Sequence, residues 1–154
     1  MNHLITGGAG FIGSHLADAL CAQGDRVTIL DDLSTGSREN VAHLLDAGSA
    51  ELVEASVLDE TVVDELMSSA DTCFHLASAV GVELVIDRPL DSMLSNMRGF
   101  RTVAASAAES GTKLVYTSTS EVYGRANGRA LTEGADRVYG APTRSRWGYA
   151  TTKV

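Results

Sequence analysis

Basic charge is scarce in this sequence: 12 Lys and Arg stand against 20 Asp and Glu in 154 residues, a formal net charge of -8. With no Lys/Arg cluster to offset the acidic background, a general affinity for nucleic acid or for an anionic membrane surface is excluded. Any phosphate the chain binds must be held locally. Cysteine is also scarce. Cys21 and Cys73 lie in apolar segments, away from metal-ligand spacing, and read as buried reduced thiols of a cytoplasmic protein. His3, His15, His43 and His75 are scattered and form no ligand pattern with them, so no metal is expected. The sequence also lacks a membrane-length apolar run. Met1-Asn2-His3 leads directly into a strand-like segment, without the basic and apolar regions of an export signal. Neither export nor a membrane is expected.

With 44% hydrophobic and 21% charged residues, the composition suits one globular domain, taken here as residues 1–154. Short apolar runs alternate with longer stretches of helical period, the pattern of βαβ units around a parallel sheet. Strands are predicted at His3 to Thr6, Arg26 to Leu30, Glu51 to Ala55, Thr72 to Leu76 and Lys113 to Thr117. Between them, Phe11 to Gln23 sets Ile12, His15, Leu16, Ala19 and Leu20 on one helical stripe, and Gly24 supplies the stop. Thr61 to Ser69 does the same with Val62, Val63, Leu66 and Met67. A longer helix is predicted from Pro89 to Ser110, ending at Gly111. Gly124 to Arg146 reads as a long irregular loop, and loops of that length in a compact domain are usually functional.

Directly after the first strand stands Thr6-Gly7-Gly8-Ala9-Gly10-Phe11-Ile12-Gly13, followed by a helix. Glycines at Gly7, Gly10 and Gly13 permit a tight turn, a close approach to a pyrophosphate, and close packing of helix on strand. The helix offers unpaired amides and the positive end of its dipole to the phosphates. At the end of the second strand, Asp31, with Asp32 beside it, is placed to accept hydrogen bonds from an adenosine ribose. A carboxylate there repels the 2'-phosphate of NADP, so NAD is the favoured cofactor.

Near the C-terminus, Trp147-Gly148-Tyr149-Ala150-Thr151-Thr152-Lys153 puts Tyr149 and Lys153 at i and i+4, on one face of a helix starting near Ser145. An ammonium near the phenol favours its ionised form and makes Tyr149 a candidate base. The fifth strand ends in Tyr116-Thr117-Ser118-Thr119-Ser120-Glu121-Val122-Tyr123-Gly124, which brings hydroxyls and a carboxylate to the C-terminal edge of the sheet. Ligands of open α/β sheets bind at that edge.

Together, the turn from Thr6 to Ser14, the strand end from Thr117 to Gly124 and the Tyr149–Lys153 pair resemble the extended short-chain dehydrogenase/reductases that modify nucleotide sugars. The resemblance spans the chain and includes Asp31-Asp32-Leu33-Ser34-Thr35-Gly36, His75-Leu76-Ala77-Ser78, and Asn96 within Asn96-Met97-Arg98-Gly99. It implies a Rossmann-type, doubly wound parallel sheet in three α/β/α layers. It also implies NAD contacts at Gly7, Gly10, Phe11, Ile12, Gly13, Asp31, Asp32, Thr35, Gly36, Leu76, Ala77, Ser78, Asn96, Thr117, Tyr149 and Lys153. Thr119, Tyr149 and Lys153 would form the catalytic triad: Tyr149 takes the proton of a sugar 4-hydroxyl as hydride passes to the nicotinamide, while Lys153 holds the nicotinamide ribose. The expected activity is a 4-epimerase of a nucleotide sugar, with a UDP-sugar as substrate.

Two positions depart from the family pattern. Ser56 stands where an Asp usually contacts adenine, so the backbone around Ser56 and Val57 is expected to carry that recognition. Glu121 lies two residues beyond Thr119, which is closer to UDP-glucuronate decarboxylases and makes Glu121 a further acid/base candidate. A 4,6-dehydratase would show an Asp before that Glu, where Ser120 stands, and ranks third. A non-catalytic dinucleotide-binding module is the alternative of another class, and a short-chain alcohol or steroid dehydrogenase of the ordinary kind is disfavoured by the glycine spacing. Family members are about twice as long, so the sequence reads as incomplete before the C-terminal substrate lobe, with Leu114 and Val115 near an open sheet edge. The resemblance further implies a homodimer formed through the Pro89 to Ser110 helix and the helix that carries Tyr149.

Overall fold

The computed structural model describes residues 1–79, 89–125, 128, 130–141 and 146–154, the side chains of Pro89 and Arg146 excepted. These fall into two compact units. Met1–Ser78 with Arg98–Tyr116 form the first, and Ala79–Met97 with Thr117–Val154 form the second.

The first unit is built on five parallel strands, β1 (Asn2–Thr6), β2 (Arg26–Asp31), β3 (Ala50–Glu54), β4 (Thr72–His75) and β5 (Lys113–Tyr116), in the order β3-β2-β1-β4-β5. The predicted strands are all present, each within about one residue of its expected ends. β2 runs on to Asp31 because that residue still pairs with Glu54. The chain reverses its direction of growth between β1 and β4. In a sheet of this kind, that switch point is where the C-terminal strand ends open into a ligand crevice.

Alternation along the strands explains the layers. Leu4 and Ile5 are adjacent in β1 and enter different cores, as do Ile29 and Leu30 in β2. Ile5 and Ile29 pack with Ala17 and Leu20 of α1 (Phe11–Ala22) and with Leu44 of α2 (Ala42–Asp46). Leu4 and Leu30 pack with Val63 and Met67 of α3 (Glu60–Ser68) and with Val103 and Ala107 of α4 (Pro89–Ser110). Helices therefore cover both faces of the sheet, which is the doubly wound arrangement. Val63 and Met67 are fully buried, each a contribution of about 1.5–3 kcal/mol.

The stripe expected on α1 is rotated. Gly13, Ser14, Ala17 and Leu20 are buried, whereas Ile12 is 66% exposed and His15 and Ala19 face solvent. Small residues lie beneath this helix because it approaches the turn before it closely: a Cβ on Gly13 would lie 2.3 Å from the Gly7 carbonyl oxygen. On α3 the expected stripe holds, with Val62 and Leu66 packed beside Val63 and Met67. α4 has the predicted bounds, and Gly111 follows it with φ +75°. Two short elements were not anticipated, a 3₁₀ turn at Arg38–Asn40 and α2, which bury Val41 and Leu44. They are too short to show a helical period.

Cys73 is buried, and burial pushes its thiol up to about 12. Cys21 departs from expectation: it is only partly buried at the outer end of α1, where its thiol meets the Ser49 carbonyl at 3.4 Å.

In the second unit, a 3₁₀ turn at Ser120–Tyr123 leads to α5 (Arg146–Thr152) through the stretch expected to be irregular. Part of that stretch is ordered against the turn. Gly124 bridges Val138, the Arg125 amide donates to the Val138 carbonyl at 2.8 Å, and the Tyr139 hydroxyl donates to the Val122 carbonyl at 3.0 Å. Residues 126, 127, 129 and 142–145 of the predicted loop, including Ser145 as the expected helix start, lie outside the described residues. No helix among the described residues is long and apolar enough to cross a membrane.

Candidate active site

The glycine turn sits at the C-terminal end of β1 and is crowded from several sides. Gly7 has φ +73°, and a Cβ there would lie 2.7 Å from the Ala77 amide nitrogen. A Cβ on Gly36 would lie 2.9 Å from the Ala9 carbonyl carbon. The turn, the Asp31 to Gly36 segment and the end of β4 are thus in direct backbone contact, and side chains are excluded where they meet. Gly10 is the N-cap of α1; no side chain caps this end, and the first turn holds no acidic residue. Helix geometry leaves the amides of Phe11, Ile12 and Gly13 without an intrahelical acceptor. Phe11 itself is 79% exposed. An uncapped, open helix end in a side-chain-free cradle fits a pyrophosphate.

Asp31 is buried, and its carboxylate is oriented by two amides, that of Ala9 to one oxygen and that of Leu33 to the other, each at 2.9 Å. Each oxygen keeps a second lone pair able to accept from a hydroxyl. Leu33 reaches its bond with φ +56°, the one non-glycine residue in the left-handed region among those described. Asp32 turns instead to Ser34, accepting from its amide at 3.0 Å and its hydroxyl at 2.6 Å. Thr35 is exposed at the tip of this segment. On the other side of β2, the Ser56 hydroxyl accepts from the Leu58 amide at 3.2 Å, and Val57 lies against Gly99 of α4.

After β4, Leu76, Ala77 and Ser78 are half-buried. The Ala77 amide donates to the Thr6 hydroxyl at 3.3 Å, and the same hydroxyl meets His75 Nδ1 at 2.7 Å. Sequence reasoning did not find this link.

In the second unit, Asn96 is buried and its side-chain amide is paired with backbone. Its Oδ1 accepts from the Ala79 amide at 2.6 Å, and its Nδ2 donates to the Ala79 carbonyl at 3.2 Å, so the side chain pairs with that backbone as a strand would. Ser92 adds a bond to the same carbonyl at 3.3 Å. Asn96 therefore holds the backbone of Ala79.

Lys153 is 4% exposed, and its ammonium donates to the Thr117 carbonyl at 3.2 Å. Burial lowers its pKa. The Ser118 hydroxyl returns a bond to the Lys153 carbonyl at 2.8 Å, so the end of α5 and the Thr117–Ser118 segment are tied reciprocally. Tyr149, one turn earlier, is half-buried, with Lys153 Nζ 5.9 Å from its ring centre. Thr119 caps the Ser120–Tyr123 turn, its hydroxyl accepting from the Glu121 amide at 3.3 Å. Within this unit the structure unites Thr117, Tyr149 and Lys153 in one cluster and Thr119 with Glu121 in another.

The chain is similar to known proteins along nearly its whole length. The profile of the NAD dependent epimerase/dehydratase family matches residues 3–154. A UDP-N-acetyl-alpha-D-glucosaminuronate decarboxylase of Bacillus cytotoxicus is 39% identical over 98% of this chain and 46% of its own length. The structure of a UDP-glucose-4-epimerase from Stenotrophomonas maltophila with bound NAD and formylated UDP-arabinopyranose superimposes with a TM-score of 0.85 at 30% identity, covering 99% of this chain and 45% of that one. A dTDP-glucose 4,6-dehydratase from Streptomyces venezuelae, also holding NAD, gives a TM-score of 0.87 at 29% identity over 99% of this chain and 48% of that one. The chain spans about half the length of these relatives. With the glycine cradle, the strand order and the match along nearly all its residues, the chain belongs to the NAD dependent epimerase/dehydratase family.

Proposed function

We propose that this chain is the nucleotide-binding portion of an enzyme that oxidises a nucleotide-linked sugar, a UDP-sugar by preference, at C4. The observation that carries the reading is the buried Lys153 ammonium, tied to the Thr117 carbonyl one helical turn from Tyr149. A module that only bound a dinucleotide could hold the ribose with neutral groups and avoid burying an ammonium beside a phenol, which is costly.

NAD, when bound, supplies the hydride acceptor. Gly7, Gly10 and the amides of Phe11, Ile12 and Gly13 would hold its pyrophosphate, and Asp31 with Asp32, Thr35 and Gly36 its adenosine ribose. The backbone at Ser56 and Val57 would meet the adenine, and Leu76, Ala77 and Ser78 would line the remainder, with Asn96 positioning the segment beyond them. Lys153, Tyr149 and Thr117 would hold the nicotinamide ribose. Tyr149 accepts the proton of the 4-hydroxyl, Lys153 keeps positive charge beside it, and Thr119 relays the proton between sugar and phenol. A 4-keto sugar results.

The fate of that keto sugar divides two readings. Return of hydride to the opposite face of C4 gives a 4-epimerase, the reading supported by the structural similarity to an epimerase. Loss of carbon dioxide from a uronate, whose C4 ketone makes it a β-keto acid, gives a decarboxylase. Glu121 beside Thr119 and the similarity to uronate decarboxylases support that second reading. The test uses protein purified from its source, mixed separately with a UDP-hexose and a UDP-uronate. A 4-epimer from the first or a pentose product from the second upholds C4 oxidation and names the branch. Turnover that persists in Tyr149→Phe contradicts the reading.

The assembly we propose is a homodimer. Leu90, Leu94 and Met97 are 65%, 40% and 55% exposed and succeed one another at helical spacing along the first turns of α4. Such a stripe fits a helix-to-helix interface.

A further inference from the structure

Ala9 is fully buried at the centre of the glycine turn, and both of its peptide groups are held from outside the turn. Its amide donates to Asp31 at 2.9 Å. Its carbonyl accepts twice, from the Ser37 amide at 3.1 Å and from Asn40 Nδ2 at 2.8 Å. The Ala9 carbonyl belongs to the peptide that joins Ala9 to Gly10, the N-cap of α1. Its orientation therefore sets where the helix begins and where the amides of Phe11, Ile12 and Gly13 point. Asn40 lies 31 residues away in sequence, at the end of the Arg38–Asn40 turn, and nothing in the glycine motif calls for it.

We infer that Asn40 is a positioning residue of the cofactor site: by holding the Ala9 carbonyl, it fixes the phosphate-binding turn in register with the ribose-binding carboxylate of Asp31. This rests on the reading that NAD lays its pyrophosphate on the first turn of α1. The three groups form one chain of bonds, from the Asn40 amide through the Ala9 peptides to Asp31. Apart from Asn40, the donor the structure shows on that carbonyl is the Ser37 amide, while the Ser37 hydroxyl turns to the Glu39 amide, from which it accepts. Removing the Asn40 donor leaves the peptide free to rock, so the amides ahead of it lose alignment with a pyrophosphate. An adenosine moiety, which needs Asp31 and the Ser56 backbone but not those amides, is little affected.

The experiment titrates this chain with NAD, ADP and adenosine, following the amide signals of Ser56 and Val57 up to millimolar ligand, in the wild type, Asn40→Ala and Asn40→Asp. The expected result is a loss of about tenfold in NAD and ADP affinity for Asn40→Ala, a change under about twofold for adenosine, and a larger NAD loss for Asn40→Asp, whose carboxylate oxygen faces a carbonyl. Melting temperatures of the unliganded variants check that each is folded. NAD bound equally by the wild type and Asn40→Ala overturns the inference and leaves the NAD reading standing. A parallel loss of adenosine and ADP affinity also overturns it, because it marks a general structural role. A wild-type chain that binds no NAD overturns the reading on which the inference rests, and the inference with it.

Discussion

Gly13 has the closest backbone neighbour of the described glycines, with the Gly7 carbonyl oxygen 2.3 Å from where a Cβ would stand. It cannot be relieved by a rotamer change, because the obstacle is backbone. Gly13→Ala is therefore expected to destabilise the fold by about 1–3 kcal/mol in urea unfolding and to weaken NAD binding more than tenfold, since the turn must open to admit the methyl group. Unchanged affinity in calorimetry would contradict this geometry. Lys153 yields a second residue-scale prediction. Its pKa is lowered by burial, so the folded chain releases that proton at a lower pH than the unfolded chain does. Below the folded value both states are charged and the native state bears the full burial penalty. As pH rises from there towards 10.5, the ordinary lysine value, the penalty is lifted. The stability of the wild type relative to Lys153→Met is expected to increase with pH across that window, as urea midpoints at neutral and alkaline pH would show; a flat difference would argue against a penalised buried charge. The placement of Tyr149, Lys153, the glycines and Asp31 was legible in the sequence because their spacing derives from the turn, strand end and helix that carry them. Asn40 was not, since its bond to Ala9 joins segments with no local pattern between them.

At the scale of elements, period and punctuation located the strands and the long helix, and hydrophobicity misplaced one face. α1 was read from its larger apolar residues, yet Gly13, Ser14 and Ala17 lie inside, because close approach to the sheet admits only small side chains. α3 was read correctly because its buried residues are also its large ones. That helix starts with Asp59 as N-cap, its carboxylate accepting from the Val62 amide at 3.3 Å. Asp59→Ala is expected to cost about 1 kcal/mol of stability by urea unfolding, with NAD affinity unchanged. α4 carries the exposed Leu90, Leu94 and Met97. If these meet a second copy, Leu94→Glu turns the dimer into monomers in sedimentation velocity without altering NAD binding; a wild-type chain that sediments as a monomer at high concentration would refute the dimer.

At the scale of the whole molecule, strand order and alternation decide what the sheet can do. Adjacent residues of β1 and β2 entering opposite cores require helices on both faces, and the β3-β2-β1-β4-β5 order puts the glycine turn at the switch point. This much could be read from apolar runs and glycines alone. The choice between the proposed epimerase and decarboxylase readings could not, because the residues that tell a uronate from a hexose need not lie in a chain spanning about half of its relatives. β5 ends the described sheet with one side unpaired by another described strand, and Leu114 and Val115 there are only half-buried. The glycine cradle and Asp31 bear most directly on cofactor binding. The most direct measurement is calorimetric titration of the chain with NAD and, separately, with NADP. Saturable binding of NAD at one site per chain is expected, with binding of NADP at least about tenfold weaker, because the Asp31 carboxylate repels a 2'-phosphate. No heat of NAD binding, or equal affinity for the two dinucleotides, would contradict that expectation.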